Sequence, residues 1–205
     1  MLTIFGFDIP LPEALQFLAT PVGFLILNLA AWILAAILVI NAGSSSIKFG
    51  IFRNGGSEPS LAFRGQMEGI GSDPAFSVKN AAGETICEHD EWPRGSTLTH
   101  LGATRFILDY LRDNAGDMRI IGAGHRVVHG GLTYDRPVVV TPEVIETLAE
   151  LVPLAPLHQP HNLAAIRAIT ELDPRLPQVA CFDTAFHSTQ PPVAKLFALP
   201  RELTQ

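Results

Sequence analysis

Residues 37–52, which read Ile-Leu-Val-Ile-Asn-Ala-Gly-Ser-Ser-Ser-Ile-Lys-Phe-Gly-Ile-Phe, constrain the fold of this chain more than any other stretch. They open with an apolar, β-rich run at 37–40, of the length of a buried strand. Asn41, Ala42, Gly43, Ser44 and Ser45 then form a small polar turn. Beyond the turn the chain alternates, with Ser46, Lys48 and Gly50 on one face and Ile47, Phe49 and Ile51 on the other. The pattern predicts a strand, a tight turn and an antiparallel return strand. The turn concentrates backbone N–H groups, three hydroxyls, an amide and a lysine with almost no bulk, which suits a nucleotide phosphate. It is not a P-loop, because a Walker A segment spaces its glycines by four residues and opens a helix. Taken alone, the turn also fits an ordinary serine-rich hairpin.

Length and charge narrow the classes. A chain of 205 residues suffices for one large domain or two small ones. A net charge of -6 argues against a nucleic-acid partner, which requires basic patches. The cysteines, Cys87 and Cys181, are too few for a disulfide framework.

Ahead of Lys48 the only charged side chains are Asp8 and Glu13. Residues 17–40 carry no charge, and that run exceeds the roughly 20 residues that span a bilayer. The first ten residues contain no lysine or arginine, which speaks against a secretory signal. Lys48 and Arg53 follow the apolar run, so a spanning helix would leave the rest of the chain cytoplasmic. A helix over 15–36 would, however, meet the strand at 37–40 without a linker. Residues 1–36 are therefore read either as an appended apolar leader or as a membrane helix making contact through 15–36.

Further along, Asn54-Gly55-Gly56 signals a turn, and strand-like runs follow near 61–67, 76–79 and 84–89. Glu88, His89, Asp90 and Glu91 read as a solvated face. Ser96 or Thr97 can cap a helix running to about Arg112, which Asn114, Ala115 and Gly116 end. Residues 120–123 read as the next buried strand. Thr141-Pro142 starts a helix to about Leu151, and a second helix begins at His161 or Asn162 and stops before Pro174. Residues 179–182 form a last short strand. Strands first, then alternating strands and helices, predict an α/β domain with a mixed sheet.

Three places beyond the turn carry chemistry. Gly124-His125-Arg126-Val127-Val128-His129-Gly130-Gly131 follows a strand end, where open α/β sheets bind ligands. Arg126 can hold a carboxylate or a phosphoryl oxygen with its fork of donors, beside valines that accept a short alkyl group. A structural arginine paired with a buried acid is the alternative. Asp183 ends the last strand and precedes small residues, a position suited to Mg²⁺ or to orienting phosphate. Of the 7 histidines, His125, His129, His158, His161 and His187 fall in the second half. Neither close pair sits on one helix and no cysteine or carboxylate lies at ligand spacing, so they are not read as a metal centre.

Together these segments, in this order, resemble the acetate kinase family. The turn at 41–48 is similar to that family's first phosphate loop, and Arg126 falls at its substrate-binding arginine. Val128 matches a residue lining its methyl pocket. Leu154-Ala-Pro-Leu157-His158-Gln-Pro160 resembles its next signature, with Leu157 at a second pocket position and His158 at an active-site histidine. After that histidine the family commonly has Asn-Pro-Ala, and this chain departs from it with Gln159-Pro160-His161. Asp183 matches the catalytic aspartate.

The resemblance implies the actin-like, ribonuclease H-like ATPase fold of the acetate and sugar kinase superfamily, a mixed sheet with flanking helices. It implies transfer of the γ-phosphoryl group of ATP to acetate with Mg²⁺, giving acetyl phosphate and ADP. Arg126 and Asp183 would then be catalytic; Arg126, Val128, Leu157 and His158 would bind substrate. Lys48, Ser44 and Ser46 would hold nucleotide phosphates, and Asn41 the metal. It further implies a cytoplasmic homodimer, and that residues 37–205 match only the N-terminal domain, which alone is not expected to turn over. Two other readings stay open: a propionate or butyrate kinase, and a membrane-associated nucleotide-binding fragment without catalysis.

Overall fold

The computed structural model describes residues 2–4, 7–9, 34–53, 58–93 and 97–195. Two short strands, β1 (Leu2–Ile4) and β2 (Phe7–Ile9), pair antiparallel at the N-terminus. The main domain starts with β3 (Leu34–Ala42), which opens three residues earlier than its apolar run suggests. A bilayer-spanning segment reaching Ile40, or a helix reaching Ala36, is therefore excluded, because Leu34–Ala42 is strand. The rest of the leader, 10–33, lies outside the described residues, as do the turn at 54–56 and Ser96. Among the described residues no helix is long and apolar enough to cross a membrane.

The alternation beyond the turn produces β4 (Ile47–Arg53), antiparallel to β3, with Ile47, Phe49 and Ile51 buried and Lys48 exposed. A meander continues through β5 (Ser60–Glu68), β6 (Ala75–Asn80) and β7 (Thr85–His89). Helix α1 (His100–Asn114) follows, capped by the Thr99 hydroxyl, which accepts from Gly102 N; the cap is neither Ser96 nor Thr97. Gly116, at φ +59, lets the chain leave the helix. Strand β8 (Met118–Val127) has 10 residues where the sequence pattern predicts a strand over 120–123, so Arg126 lies within the strand, just before its end.

After the two-residue strand β9 (Val138–Val139), Thr141 caps α2 (Pro142–Glu150) as its Thr-Pro pair suggests. Helix α3 (Gln159–Leu172) starts two residues before the expected point, with Pro160 in its first turn. Strand β10 (Gln178–Phe182) ends in a 3₁₀ turn over Asp183–His187, and a short helix, α4 (Pro192–Lys195), follows.

Among the described residues eight strands form one sheet in the order β7-β6-β5-β4-β3-β8-β10-β9. The strands β3, β8 and β10 are parallel neighbours, and the meander joins β3 through antiparallel β4. One face buries Ala36, Leu38 and Ile40 of β3 beside Ala123, His125 and Val127 of β8. Helix α1 and helix α3 cover that face through Ile107, Leu111, Ala165 and Ile169. Leu148 of α2, with Leu163 and Ile166 of α3, forms a second cluster against Val127, Ala180 and Phe182. Fully burying one such aliphatic side chain contributes about 1.5–3 kcal/mol, so this face anchors the strand ends.

Candidate functional site

Because side chains alternate along a strand, the residues next to the buried ones emerge on the opposite face. Asn41 follows Ile40, and Lys48 stands across from it on β4. Arg126 follows His125 and pairs in register with Cys181 of β10. The carboxyl ends of three parallel strands thus carry Asn41, Arg126 and Asp183 side by side, where open α/β sheets bind ligands.

Arg126 ties the three together. Its Nε donates to Oδ1 and Oδ2 of Asp183, both at 3.1 Å, and its Nη2 donates to Oδ2 at 2.6 Å. Its Nη1 donates to Asn41 Oδ1 at 3.1 Å. The arginine is therefore paired with an acid, but not a buried one: the two side chains are 49% and 43% exposed. Both partners stay within reach of an incoming anion or cation.

The turn beside this cluster is asymmetric in its hydrogen bonding. Ala42 O accepts from Asn162 Nδ2 at 2.8 Å, and Gly43 O lies 2.7 Å from His100 Nε2. Ser45 O accepts from Ile70 N at 3.0 Å, and Ser46 O from Gly43 N at 2.8 Å. Among the described residues no backbone N–H or hydroxyl of Ser44, Ser45 or Ser46 has a partner, and Ser44 and Ser45 are exposed. The carbonyls of Ala42, Gly43, Ser45 and Ser46 are engaged while the N–H groups of Ser44, Ser45 and Ser46 are left over, an arrangement that suits an anion. Lys48 stands exposed on the strand that leaves the turn and forms no ion pair among the described residues.

Other expected residues stand further out. Val128 is half-buried just beyond β8, and its N–H donates to Asn162 Oδ1 at 3.0 Å. Leu157 is 75% exposed, so in this structure it lines no enclosed pocket. His158 is exposed at the N-terminus of α3 without a side-chain capping bond. Burial, with the imidazoles of His100 and His158, holds the His161 pKa below the ordinary histidine value.

Two further histidines have structural surroundings. His125 is buried with Nε2 2.7 Å from Gln178 Oε1, and desolvation lowers its pKa to about 4, which keeps it neutral. His129 Nδ1 accepts from Gly131 N at 2.8 Å. Burial pushes the Cys181 thiol up, so it is a poor nucleophile despite its place beside Arg126. Among the described residues no group of three or more metal-ligating side chains converges.

Sequence reasoning missed four residues that shape the site: Asn162, His100, Gln159 and Thr184. Thr184 Oγ1 accepts from Gly130 N at 3.1 Å, and Gln159 Nε2 donates to His129 O at 3.0 Å. Each joins segments distant in sequence, so no local spacing marks it. Only the clustering of Asn162 and Gln159 in the first turn of one helix hinted at a shared task.

A mixed sheet with flanking helices is consistent with the actin-like ATPase fold. Comparison with known proteins narrows this. The model of the acetokinase family matches residues 36–205, and the chain belongs to that family. The acetate kinase of Rhodopseudomonas palustris is 47% identical over 173 residues, covering 82% of this chain and 42% of that protein. The acetate kinase of Methylocella silvestris is 44% identical over 171 residues, covering 80% and 42%. Among solved structures, Porphyromonas gingivalis acetate kinase superposes with a TM-score of 0.71 at 36% identity, over 82% of this chain and 42% of that one. A propionate kinase from Francisella tularensis gives 0.67 at 31% identity, over 83% and 42%. The chain thus spans about 42% of the length of these curated relatives.

Proposed function

We propose that this chain supplies the phosphate turn and the substrate-binding arginine of an acetate kinase. The reaction moves the γ-phosphoryl group of ATP onto acetate, giving acetyl phosphate and ADP. The observation that carries this reading is the donor-rich turn next to a half-exposed arginine, joined through the 3.1 Å contact of Arg126 with Asn41.

Carboxylic acids titrate near ~4, so acetate meets the enzyme ionised and needs no base. What the protein must supply is alignment of the carboxylate with the γ-phosphorus and relief of the repulsion between two anions. Arg126 has donors for both. To use them it exchanges part of its bonding to Asp183, and a half-exposed ion pair is worth only about 0–1 kcal/mol, so the exchange is cheap. Ser44, Ser46 and Lys48 hold nucleotide phosphates from the turn side.

Asp183 and Asn41 offer one carboxylate and one amide oxygen beside each other. That donor set fits Mg²⁺, which takes oxygen ligands, commonly one or two carboxylates with phosphates and waters completing the shell. Bound there, the ion would neutralise charge on the phosphates. In this reading Val128 and Leu157 are the residues assigned to the acyl group, and the likeness to a propionate kinase favours propionate as a second reading.

The test is a chimaera in which residues 36–205 replace the matching stretch of the Rhodopseudomonas palustris relative. Acyl phosphate is trapped with hydroxylamine using acetate, propionate and butyrate. Turnover within the ~1–100 s⁻¹ of ordinary kinases supports the reading. A folded chimaera that forms no acyl hydroxamate refutes it.

A further inference from the structure

The asymmetry of the turn has a specific origin in two helices. His100 is the first residue of α1 and Asn162 lies in the first turn of α3. The His100 ring stacks on His161 with centroids 5.0 Å apart, so the two helix ends meet beneath the turn. From there Asn162 Nδ2 reaches Ala42 O at 2.8 Å and His100 Nε2 reaches Gly43 O at 2.7 Å. Asn162 is only 2% exposed, so the Ala42 carbonyl is drawn into the protein.

We propose that Asn162 and His100 are positioning residues for the phosphate turn, holding the carbonyls of Ala42 and Gly43 inward so that neither carbonyl faces the ligand beside the free N–H groups of the turn. This rests on the phosphate-binding reading of the turn. The need for such ties follows from the local sequence. A Cβ on Gly43 would meet nothing closer than 3.6 Å, so packing does not lock the peptides around it. Small residues leave those peptides free to rotate, and a rotated peptide would present a carbonyl oxygen to a phosphate oxygen. The same Asn162 amide accepts from Val128 N at 3.0 Å, so one buried side chain also fixes the turn relative to the strand that carries Arg126. Neither residue touches the reacting atoms; both act through the backbone of the turn.

The experiment measures binding of MgATP and of inorganic tripolyphosphate to the 205-residue chain by titration calorimetry. Asn162→Asp keeps the acceptor for Val128 N–H and loses the donor to Ala42 O. His100→Phe keeps the ring stacking on His161 and loses the donor to Gly43 O. Each is expected to weaken both ligands by about tenfold or more, the scale of a lost buried hydrogen bond. His100→Gln, which restores an N–H donor, should recover most of the affinity. Ile166→Val, in the core of α3 and away from the turn, should lower Tm while binding both ligands as the wild type does.

Folded Asn162→Asp and His100→Phe chains that bind both ligands within about twofold of wild type would overturn the proposal. Should Asn162→Asp fail to fold, His100→Phe, on the other helix, decides. A wild-type chain that binds neither ligand counts against the functional reading itself. Amide hydrogen exchange then judges the ties: faster exchange in Asn162→Asp and His100→Phe than in Ile166→Val at Gly43 and Ile70, whose N–H groups donate to Ser46 O and Ser45 O of the turn, supports them, and equal exchange overturns them.

Discussion

Replacing Arg126 with alanine separates two roles that one guanidinium holds in this structure. Its bonds run to both carboxylate oxygens of Asp183 and to Asn41 Oδ1, at 2.6 to 3.1 Å. By bond count alone it would pass for a structural strut. Its surroundings argue otherwise, since the pair is 49% and 43% exposed and water screens it. Exposed ion pairs contribute about 0–1 kcal/mol. For a chain of this size about 1 kcal/mol moves Tm by roughly 2–4 °C. Asp183, once deserted, hydrates rather than standing as a buried unpaired charge. Arg126→Ala should therefore unfold within about 4 °C of the parent.

Activity should respond on a different scale. A positioned donor aimed at developing charge contributes about 10²–10³ in rate, and Arg126 faces both anions of the proposed reaction. In the chimaera, hydroxamate formation as a function of acetate should show kcat/KM lower by about 10²-fold or more. Arg126→Lys keeps the charge but loses the planar fork, so it should restore Tm and only part of the rate. Parental kcat/KM in Arg126→Ala would refute the substrate role. A Tm loss beyond about 8 °C would instead show the arginine to be a strut whose removal disorganises the strand ends.

Other perturbations follow from the same geometry. Asp183→Asn removes the charge that occupies Arg126 while keeping an acceptor; it should leave KM for acetate unchanged or lower while kcat falls by about 10²-fold, and a raised KM with unchanged kcat would contradict the assignment. His125 is neutral in the fold with a pKa of about 4 against an ordinary 6.5. The unfolded chain therefore binds the extra proton, so stability is complete above pH 6.5 and falls as pH drops towards 4, by roughly 3 kcal/mol in all. Denaturant midpoints measured across that window should flatten in His125→Gln, and equal slopes in both proteins would refute the cause. A Cβ on Gly130 would sit 2.5 Å from Tyr134 O and 2.9 Å from Phe182 Cγ, so Gly130→Ala should cost about 1–3 kcal/mol, measured as a lower Tm.

How much of this was legible depends on whether a residue's partners are near it in sequence. Asn41, Arg126 and Asp183 each stand beside an apolar run, and a polar side chain at the end of a buried strand is visible locally. Their meeting needed only the rule that parallel strand ends share one edge. Element lengths were less legible. Glycine, histidine and arginine have no strong strand preference, yet β10 pairs with 123–127 and β3 with 123–125, which keeps the segment extended. Ser96, Thr97 and Thr99 are chemically equivalent caps, and the fold selects Thr99. Pro160 in the first turn of α3 was an available signal for the earlier helix start. Asn162 and His100 gave no such signal, because their partners at Ala42 and Gly43 lie far away in the chain.

The decisive feature of the site is one that no local pattern announced. Along β3 the residues facing the helices are Ala36, Leu38 and Ile40. On β8 their register partners are Ile120, Ala123 and His125, so the parity changes from even to odd where the register shifts opposite Ala36 and Ile37. An extra residue in β8 absorbs that shift as a β-bulge. Without it the even positions would stay inward, and Arg126 would enter the core while His125 faced the ligand. Neighbouring residues owe opposite fates to the bulge: His125 is 2% exposed and neutral, whereas Arg126 is half-exposed and charged. Deleting Ile121 should thus do more than remove an aliphatic side chain. It should exchange the faces of 122–127 and bury a guanidinium where no acid is buried among the described residues, a cost of several kcal/mol. Ile121→Ala, which keeps the bulge, should fold and lose little by comparison. Circular dichroism melts of both variants test this, and a deletion variant that melts like Ile121→Ala would show that the bulge does not set which residue meets the ligand.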